Sequence, residues 1–334
     1  MQRNLPIINI AKYVASICVV AVHTFTTSPI NNIYIFLFIQ GIARLAVPFF
    51  FCCTGYFIGL KGIEDKDIVI PYIKKLFSIY LFWSLIYIPI ELLKMIGTNT
   101  LNINNLLNYL KFIVVQGSFL HLWYFPAIII AIYVLHKLLK NATLSTVSIL
   151  AGIIYAIGML GDSYYGILTY FPDYINNAMD LYLNIFITTR NGLFFGMPFV
   201  LLGIIISKYE YKIVRINFLP WLFISLLSVC TEVYFLNYYN LAIDYNITLT
   251  IAPATFFLFL VLIQTKLSFP DSTNIFRKYS SLIYESHLIF YGTVLGLLNF
   301  YDIKILNDNL VQFIVVFTLS QLFAYIVIKL PKTA

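Results

Sequence analysis

Long apolar runs separated by short polar breaks dominate this chain. From Pro6 onward, stretches of about twenty apolar residues recur, and a bilayer core about 30 Å thick takes roughly that length of helix. Windows of this size predict ten spans, at 7–27, 34–58, 72–96, 114–135, 144–160, 184–206, 218–236, 247–265, 280–300 and 308–328. No break is long or polar enough to house a separate soluble domain, so 1–334 reads as one transmembrane domain. No heptad run, low-complexity tract or strong internal repeat interrupts that reading.

Composition turns the pattern into a class. The 334 residues are 61% hydrophobic and 18% aromatic, and only 10% are charged. A water-facing shell needs far more charge. The expectation is an all-α, polytopic protein with about ten transmembrane helices in a lipid bilayer. The formal charge of +7 then does not call for nucleic acid, because cytoplasmic loops of membrane proteins collect Lys and Arg. Cys18, Cys52, Cys53 and Cys230 all lie in apolar runs without metal-ligand spacing, and read as small buried hydrophobes. The start MQRN is not read as a secretory leader: Lys12 interrupts the apolar run and no A-x-A site follows.

Charge also orients the spans. With the N-terminus in the cytoplasm, fifteen of the 21 basic residues fall on the inside: Arg3, Lys61, Lys66, Lys74, Lys75, Lys137, Lys140, Lys208, Lys212, Arg215, Lys266, Arg277, Lys278, Lys329 and Lys332. Only Lys94, Lys111 and Lys304 fall outside, and the segment 161–180 carries no Lys or Arg. The split predicts that both termini are cytoplasmic.

Three basic residues, Lys12, Arg44 and Arg190, remain inside the predicted spans. In AKYVASICVVAVHT (11–24), eleven residues separate Lys12 from His23, which puts both on one helix face about 16 Å apart along the axis. Ionisable groups at membrane depth are costly and normally face a bundle interior or a wet cavity. The plainer readings are a snorkelling Lys12 and a His23 that hydrogen-bonds a neighbouring helix. Glu232 and Glu285 are the acidic side chains well inside spans, each expected to have a partner, and a structural Arg–Glu pair is the plain reading for both. His121 and Trp123 open the fourth span, and for Trp123 and Tyr124 an aromatic belt is the alternative. His287, with Tyr284 and Glu285 in the ninth, suits either packing or chemistry. His136 reads as a solvated helix end, Asn191 as a helix cap, and Gly192 as a site of close packing. The triplet GDS (161–163) lies in a loop without triad partners and is set aside.

The Lys12–His23 spacing, together with RLAVPFFFCCTGYF (44–57), HLWYFPAIII (121–130) and SLIYESHLIFY (281–291), resembles the acyltransferase-3 family of membrane O-acyltransferases. Where that family usually has an acidic residue three positions before the basic one, this chain has Asn9. The resemblance implies a ten-helix acyltransferase-3 fold in a bacterial plasma membrane. It implies that His23 acts as base or transient acyl acceptor, and that Lys12 and Arg44 engage acyl-coenzyme A, such as acetyl-coenzyme A.

A narrower resemblance joins HLWYFPA to IGMLGDSYYGI (157–167) and TTRNGLFFGMPFVLLG (188–203). This set is similar to the membrane half of the membrane-bound serine racemases of vancomycin-resistant bacteria. It implies that L-serine is bound and brought inward for D-serine production and altered peptidoglycan. A cytoplasmic, pyridoxal-phosphate (PLP) racemase half would then follow KLPKTA (329–334), with a dimer formed through it. An amino acid offers a carboxylate, an ammonium and a hydroxyl. The candidate partners are Arg44, Arg190, Glu232 and Glu285, with His121, Trp123, Tyr284 and His287 nearby in the spans. The rival is acyl transfer to an extracytoplasmic sugar or peptidoglycan, with His23 and Lys12 catalytic.

Overall fold

The computed structural model describes residues 5–26, 30–213, 216–265, 273–301 and 303–330. Arg3, Arg215, Lys266 and Lys332 of the charge count, and the last four residues of KLPKTA, lie outside the described residues. Among the described residues there is no strand. The helices are α1 (Pro6–Phe25), α2 (Ile33–Leu37), α3 (Ala46–Lys61), α4 (Lys66–Gly97), α5 (Ile103–Gln116), α6 (Tyr124–Asn141) and α7 (Leu144–Leu160). They continue as α8 (Asp173–Phe186), α9 (Met197–Ile213), α10 (Leu219–Tyr238), α11 (Ile251–Gln264), α12 (Asn274–Tyr301) and α13 (Asn309–Lys329). A π-helical turn, Phe38–Ile42, and a 3-10 turn, Ala43–Leu45, carry α2 without a break into α3.

Seven of these runs are long and apolar enough to cross a membrane: Pro6–Phe25, Ile33–Lys61, Lys66–Gly97, Gly192–Glu210, Leu219–Tyr238, Asn274–Leu298 and Asn309–Lys329. The chain is therefore a polytopic, all-helical membrane protein. The windows at 144–160 and 247–265 correspond to the shorter apolar helices α7 and α11. The windows at 114–135 and 184–206 are corrected. Each runs across a break, because α5 ends at Gly117 (φ 90°) and α8 ends at Ile187 (φ 68°). A residue in the left-handed region cannot continue a right-handed helix. Helix starts follow short polar side chains that accept orphan backbone N–H groups: Asp65 for α4, Asn102 for α5, Thr143 for α7 and Asp308 for α13.

The chain divides into two compact units. The first comprises 1–50, 214–234 and 250–334. In it α1 packs on α12 and α13, and α12 packs on α13. Ile8, Val19, Val20, Ile283 and Val316 are buried there. The second unit comprises 51–213 and 235–249. In it α6 packs on α4 and α9, and α7 also packs on α9. The approach of α3 to α9 in this unit needs glycine on both sides. A Cβ on Gly55 would overlap the carbonyl of Val200, and one on Gly203 the carbonyl of Cys52. Small residues at such contacts let backbones meet, which is what holds helices together where lipid is as apolar as leucine. Cys52 and Cys53 are fully buried beside that contact, and all four cysteines are free.

Candidate functional site

In the first unit the expected residues gather where α1 meets α12. His23, near the C-terminal end of α1, lies 5.1 Å, ring centre to ring centre, from His287 on α12. Nδ1 of His287 sits 2.8 Å from the carbonyl of Tyr284 and 3.2 Å from that of Ile283. A nitrogen facing carbonyl oxygens carries the proton, so in the neutral ring Nε2 is the basic nitrogen. Tyr284 packs 6.0 Å from Phe50 and 6.2 Å from His287. Glu285 is buried and accepts a hydrogen bond from Ser281 Oγ at 2.7 Å.

Lys12 sits a little over a turn before Ser16 on α1, and its backbone carbonyl accepts from Ser280 Oγ of α12 at 2.8 Å. Its side chain is half-buried. Asn9, standing where the family has an acid, is buried and donates to Asn274 Oδ1 at 3.4 Å. Arg44 is half-buried, and its Nε and Nη2 both donate to Gln40 Oε1, one helical turn earlier, at 3.1 and 2.6 Å. Glu232 accepts from the backbone N–H of Thr250 at 2.8 Å and from its hydroxyl. The carboxylate thereby caps the positive end of α11.

The second unit brings Trp123 and Arg190 together. The Arg190 guanidinium lies over the Trp123 ring, 4.9 Å from its centre. Its Nη1 is 3.4 Å from Asn246 Oδ1 and 3.8 Å from Asp244 Oδ2. Its Nε is buried and has no hydrogen-bond partner among the described residues. Asn191 caps the next turn, accepting from Leu193 N and Phe194 N, and a Cβ on Gly192 would overlap Ala127 O, so both local expectations hold.

His121 and Trp123 are buried and precede α6, which starts at Tyr124. The His121 ring packs edge-on to Tyr87 at 4.9 Å. Trp123 is therefore not part of a surface belt. His136 is likewise not solvated: it is buried, with Nδ1 2.8 Å from the carbonyl of Ile63.

Sequence reasoning missed Asp162, inside the GDS triplet it set aside. Asp162 Oδ1 accepts from the backbone N–H groups of Asn246 (2.9 Å) and Ile247 (3.0 Å) and from Ser163 Oγ (2.8 Å). Asn246 Nδ2 donates to Asp162 Oδ2 at 3.2 Å and to Asp244 Oδ2 at 2.6 Å. Burial and the neighbouring Asp244 carboxylate raise the Asp162 pKa above the ordinary range, against the lowering effect of these donors. The available signal was scarcity: with only 14 acidic residues in the chain, an Asp between apolar runs calls for a partner. Asp162 and Asn246 hold the 242–247 segment so that Asp244 faces Arg190. The result is a guanidinium, a carboxylate, an amide and an indole face within one unit.

A family model described as an acyltransferase domain matches residues 5–329. The chain belongs to the acyltransferase-3 family. It is 30% identical, over 99% of its length, to an amino-acid racemase of Enterococcus faecalis, of which it covers 47%. Another amino-acid racemase of Enterococcus faecalis is 34% identical over 62% of the chain and 29% of that protein. A serine/alanine racemase of Enterococcus gallinarum is 29% identical over 92% of the chain and 44% of that protein. This acyltransferase-3 member thus spans less than half the length of the curated relatives it matches. No solved structure matches it.

Proposed function

We propose that this acyltransferase-3 domain is the membrane half of a serine-racemase-type protein of a bacterial plasma membrane. It would bind L-serine and deliver it to a cytoplasmic PLP racemase half. The observation that carries the reading is the Arg190 cluster. An α-amino acid presents a carboxylate and an ammonium a few ångströms apart, and Arg190 with Asp244 offers the complementary pair. Arg190 Nε is the donor left for the substrate carboxylate. Asp244 takes the ammonium, Asn246 steadies both, and the Trp123 face excludes water on one side. In low dielectric a guanidinium–carboxylate contact is worth more than in water. The alternation of spans and the distribution of Lys and Arg support ten crossings with both termini cytoplasmic.

One observation favours a second reading, O-acyl transfer from acyl-coenzyme A to an extracytoplasmic sugar, peptidoglycan or other hydroxyl acceptor. His23 and His287 stand within reach of a shared reacting group. A histidine takes the acceptor's proton as the acyl carbon–sulfur bond gives way to carbon–oxygen. The half-buried Lys12 and Arg44, the latter oriented by Gln40, are the cations that fit the coenzyme's phosphates. L-[3H]serine binding and acetyl-coenzyme A hydrolysis, measured side by side on the purified chain, test both. Arg190→Gln abolishing serine binding while His23→Ala spares it supports the first reading. No serine binding, with hydrolysis that depends on His23, overturns it and leaves the transferase.

A further inference from the structure

Two helices do not fit the spanning pattern. Helices α5 and α8 have 14 residues each, about 21 Å at 1.5 Å per residue. Helix α11 is equally short yet apolar, whereas α5 and α8 each carry a row of polar side chains that a crossing would bury in lipid. Each presents three distinct faces. On α5, Ile103, Leu107, Leu110 and Val114 recur at helical spacing along one exposed stripe. Beside them Asn104, Asn108 and Lys111 form an exposed polar stripe, and Tyr109 and Gln116 face the protein. On α8, Tyr174, Ala178, Leu181 and Ile185 form the exposed apolar stripe, and Asp173, Asn177, Asp180 and Asn184 the exposed polar one. Ile175, Met179, Tyr182 and Leu183 turn inward. The large side chains of the two apolar stripes are 47% (Ile185) to 84% (Val114) exposed.

The helices are tied together. Lys111 Nζ donates to the carbonyl of Asn184 at 2.6 Å, and Gln116 Nε2 to that of Phe186 at 3.1 Å. Each then ends at a positive-φ residue and leads into a loop of the Arg190 cluster: Gly117 toward His121 and Trp123, and Ile187 toward Arg190.

We infer that α5 and α8 lie in the plane of the membrane as a paired interfacial platform, their apolar stripes sunk into one lipid leaflet and their polar stripes at its headgroups. Three observations name lipid as the occupant. The chain spans a bilayer, so a lipid surface is adjacent to it. Exposed apolar residues of the spanning helix α4, Leu85, Leu93 and Ile96, are followed along the chain by exposed Leu101 and then by the α5 stripe. Tyr170 and Tyr174, exposed around the start of α8, are residues that settle at the headgroup boundary. A helix with one apolar and one polar exposed face is stable at that boundary and in neither phase alone. The pair thereby fixes, relative to the bilayer, the depth at which the loops carrying Trp123 and Arg190 begin.

The test is spin-label accessibility on the full chain in phosphatidylethanolamine–phosphatidylglycerol vesicles. The partly exposed Cys18 and Cys230 are removed as Cys18→Ala and Cys230→Ala, while Cys52 and Cys53 stay buried. Single labels at Leu110→Cys, Val114→Cys, Leu181→Cys and Ile185→Cys should collide with oxygen several-fold more than with a water-soluble nickel chelate. Labels at Asn108→Cys and Asn177→Cys should reverse that ratio. All six sites are exposed, so the labels do not disturb packing. Stripe labels as accessible to the chelate as the Asn108 and Asn177 labels would overturn the platform. Stripe labels shielded from both reagents would also overturn it, in favour of a protein cover such as a second copy.

Discussion

Where α1, α12 and α13 meet in the first unit, the paired polar side chains stand on helices that face one another. Tyr13 on α1 donates to Gln321 on α13 at 3.0 Å, Ser280 on α12 donates to the backbone of α1, and His23 meets His287. In the Arg190 cluster of the second unit the polar groups sit where helices stop. Asp162 follows α7, Arg190 follows α8, and Asp244 and Asn246 follow α10. The difference is one of density. Helix-borne polar groups meet one partner or two, because the rest of the helix surface is apolar and its own backbone is satisfied internally. Groups at breaks meet unsatisfied backbone as well, so one carboxylate at Asp162 organises a whole segment. The break-borne cluster therefore ties its segment through several directional contacts at once.

The effect that most sharpens this contrast is on ligand. If the proposed site binds L-serine, Arg190→Gln should cost about 1.5–3 kcal/mol of that binding, the range for a hydrogen bond to a charged group that is only partly removed from water. His23→Ala should cost less than about 1 kcal/mol. Isothermal titration with the two variants checks the order, and the reverse order would move the ligand site to the first unit.

Next is stability. Asp162→Ala leaves the N–H groups of Asn246 and Ile247 without their acceptor and should destabilise by about 2–4 kcal/mol. A thermal-unfolding series in detergent would expose the contrast as false if this variant melted with the wild type.

A pH effect comes third. Because the folded state raises the Asp162 pKa above 3.8, the folded chain holds that proton more tightly than the unfolded chain. The stability this confers is present at low pH and lost as pH rises through the folded value. As pH rises above the ordinary carboxylate range, the melting temperature should fall more for wild type than for Asp244→Asn, which removes the neighbouring charge. Parallel slopes would show that Asp244 does not act on Asp162.

The smallest effect belongs to the first unit. Tyr13→Phe deletes only the Gln321 hydrogen bond and should cost about 0.6 kcal/mol, the mean for such bonds within membranes. A loss as large as that of Asp162→Ala would erase the distinction between the units.

The sequence by itself determined the all-helical class, the lipid environment and the family. These follow from local composition and short motifs: apolar runs of spanning length, the cap at Asn191, and the Lys12–His23 spacing on one helix. Hydrophobic burial is roughly proportional to apolar area, so it can be read window by window. Tertiary structure alone decided that the 114–135 and 184–206 windows break at Gly117 and Ile187. It alone decided that His121 and His136 are buried, that Glu232 caps α11, and that Asp162 reaches 84 residues along the chain to Asn246. Those outcomes depend on directional hydrogen bonds between residues far apart in sequence. A polar residue in an apolar chain announces that it needs a partner, but only the packing of the helices decides which partner arrives.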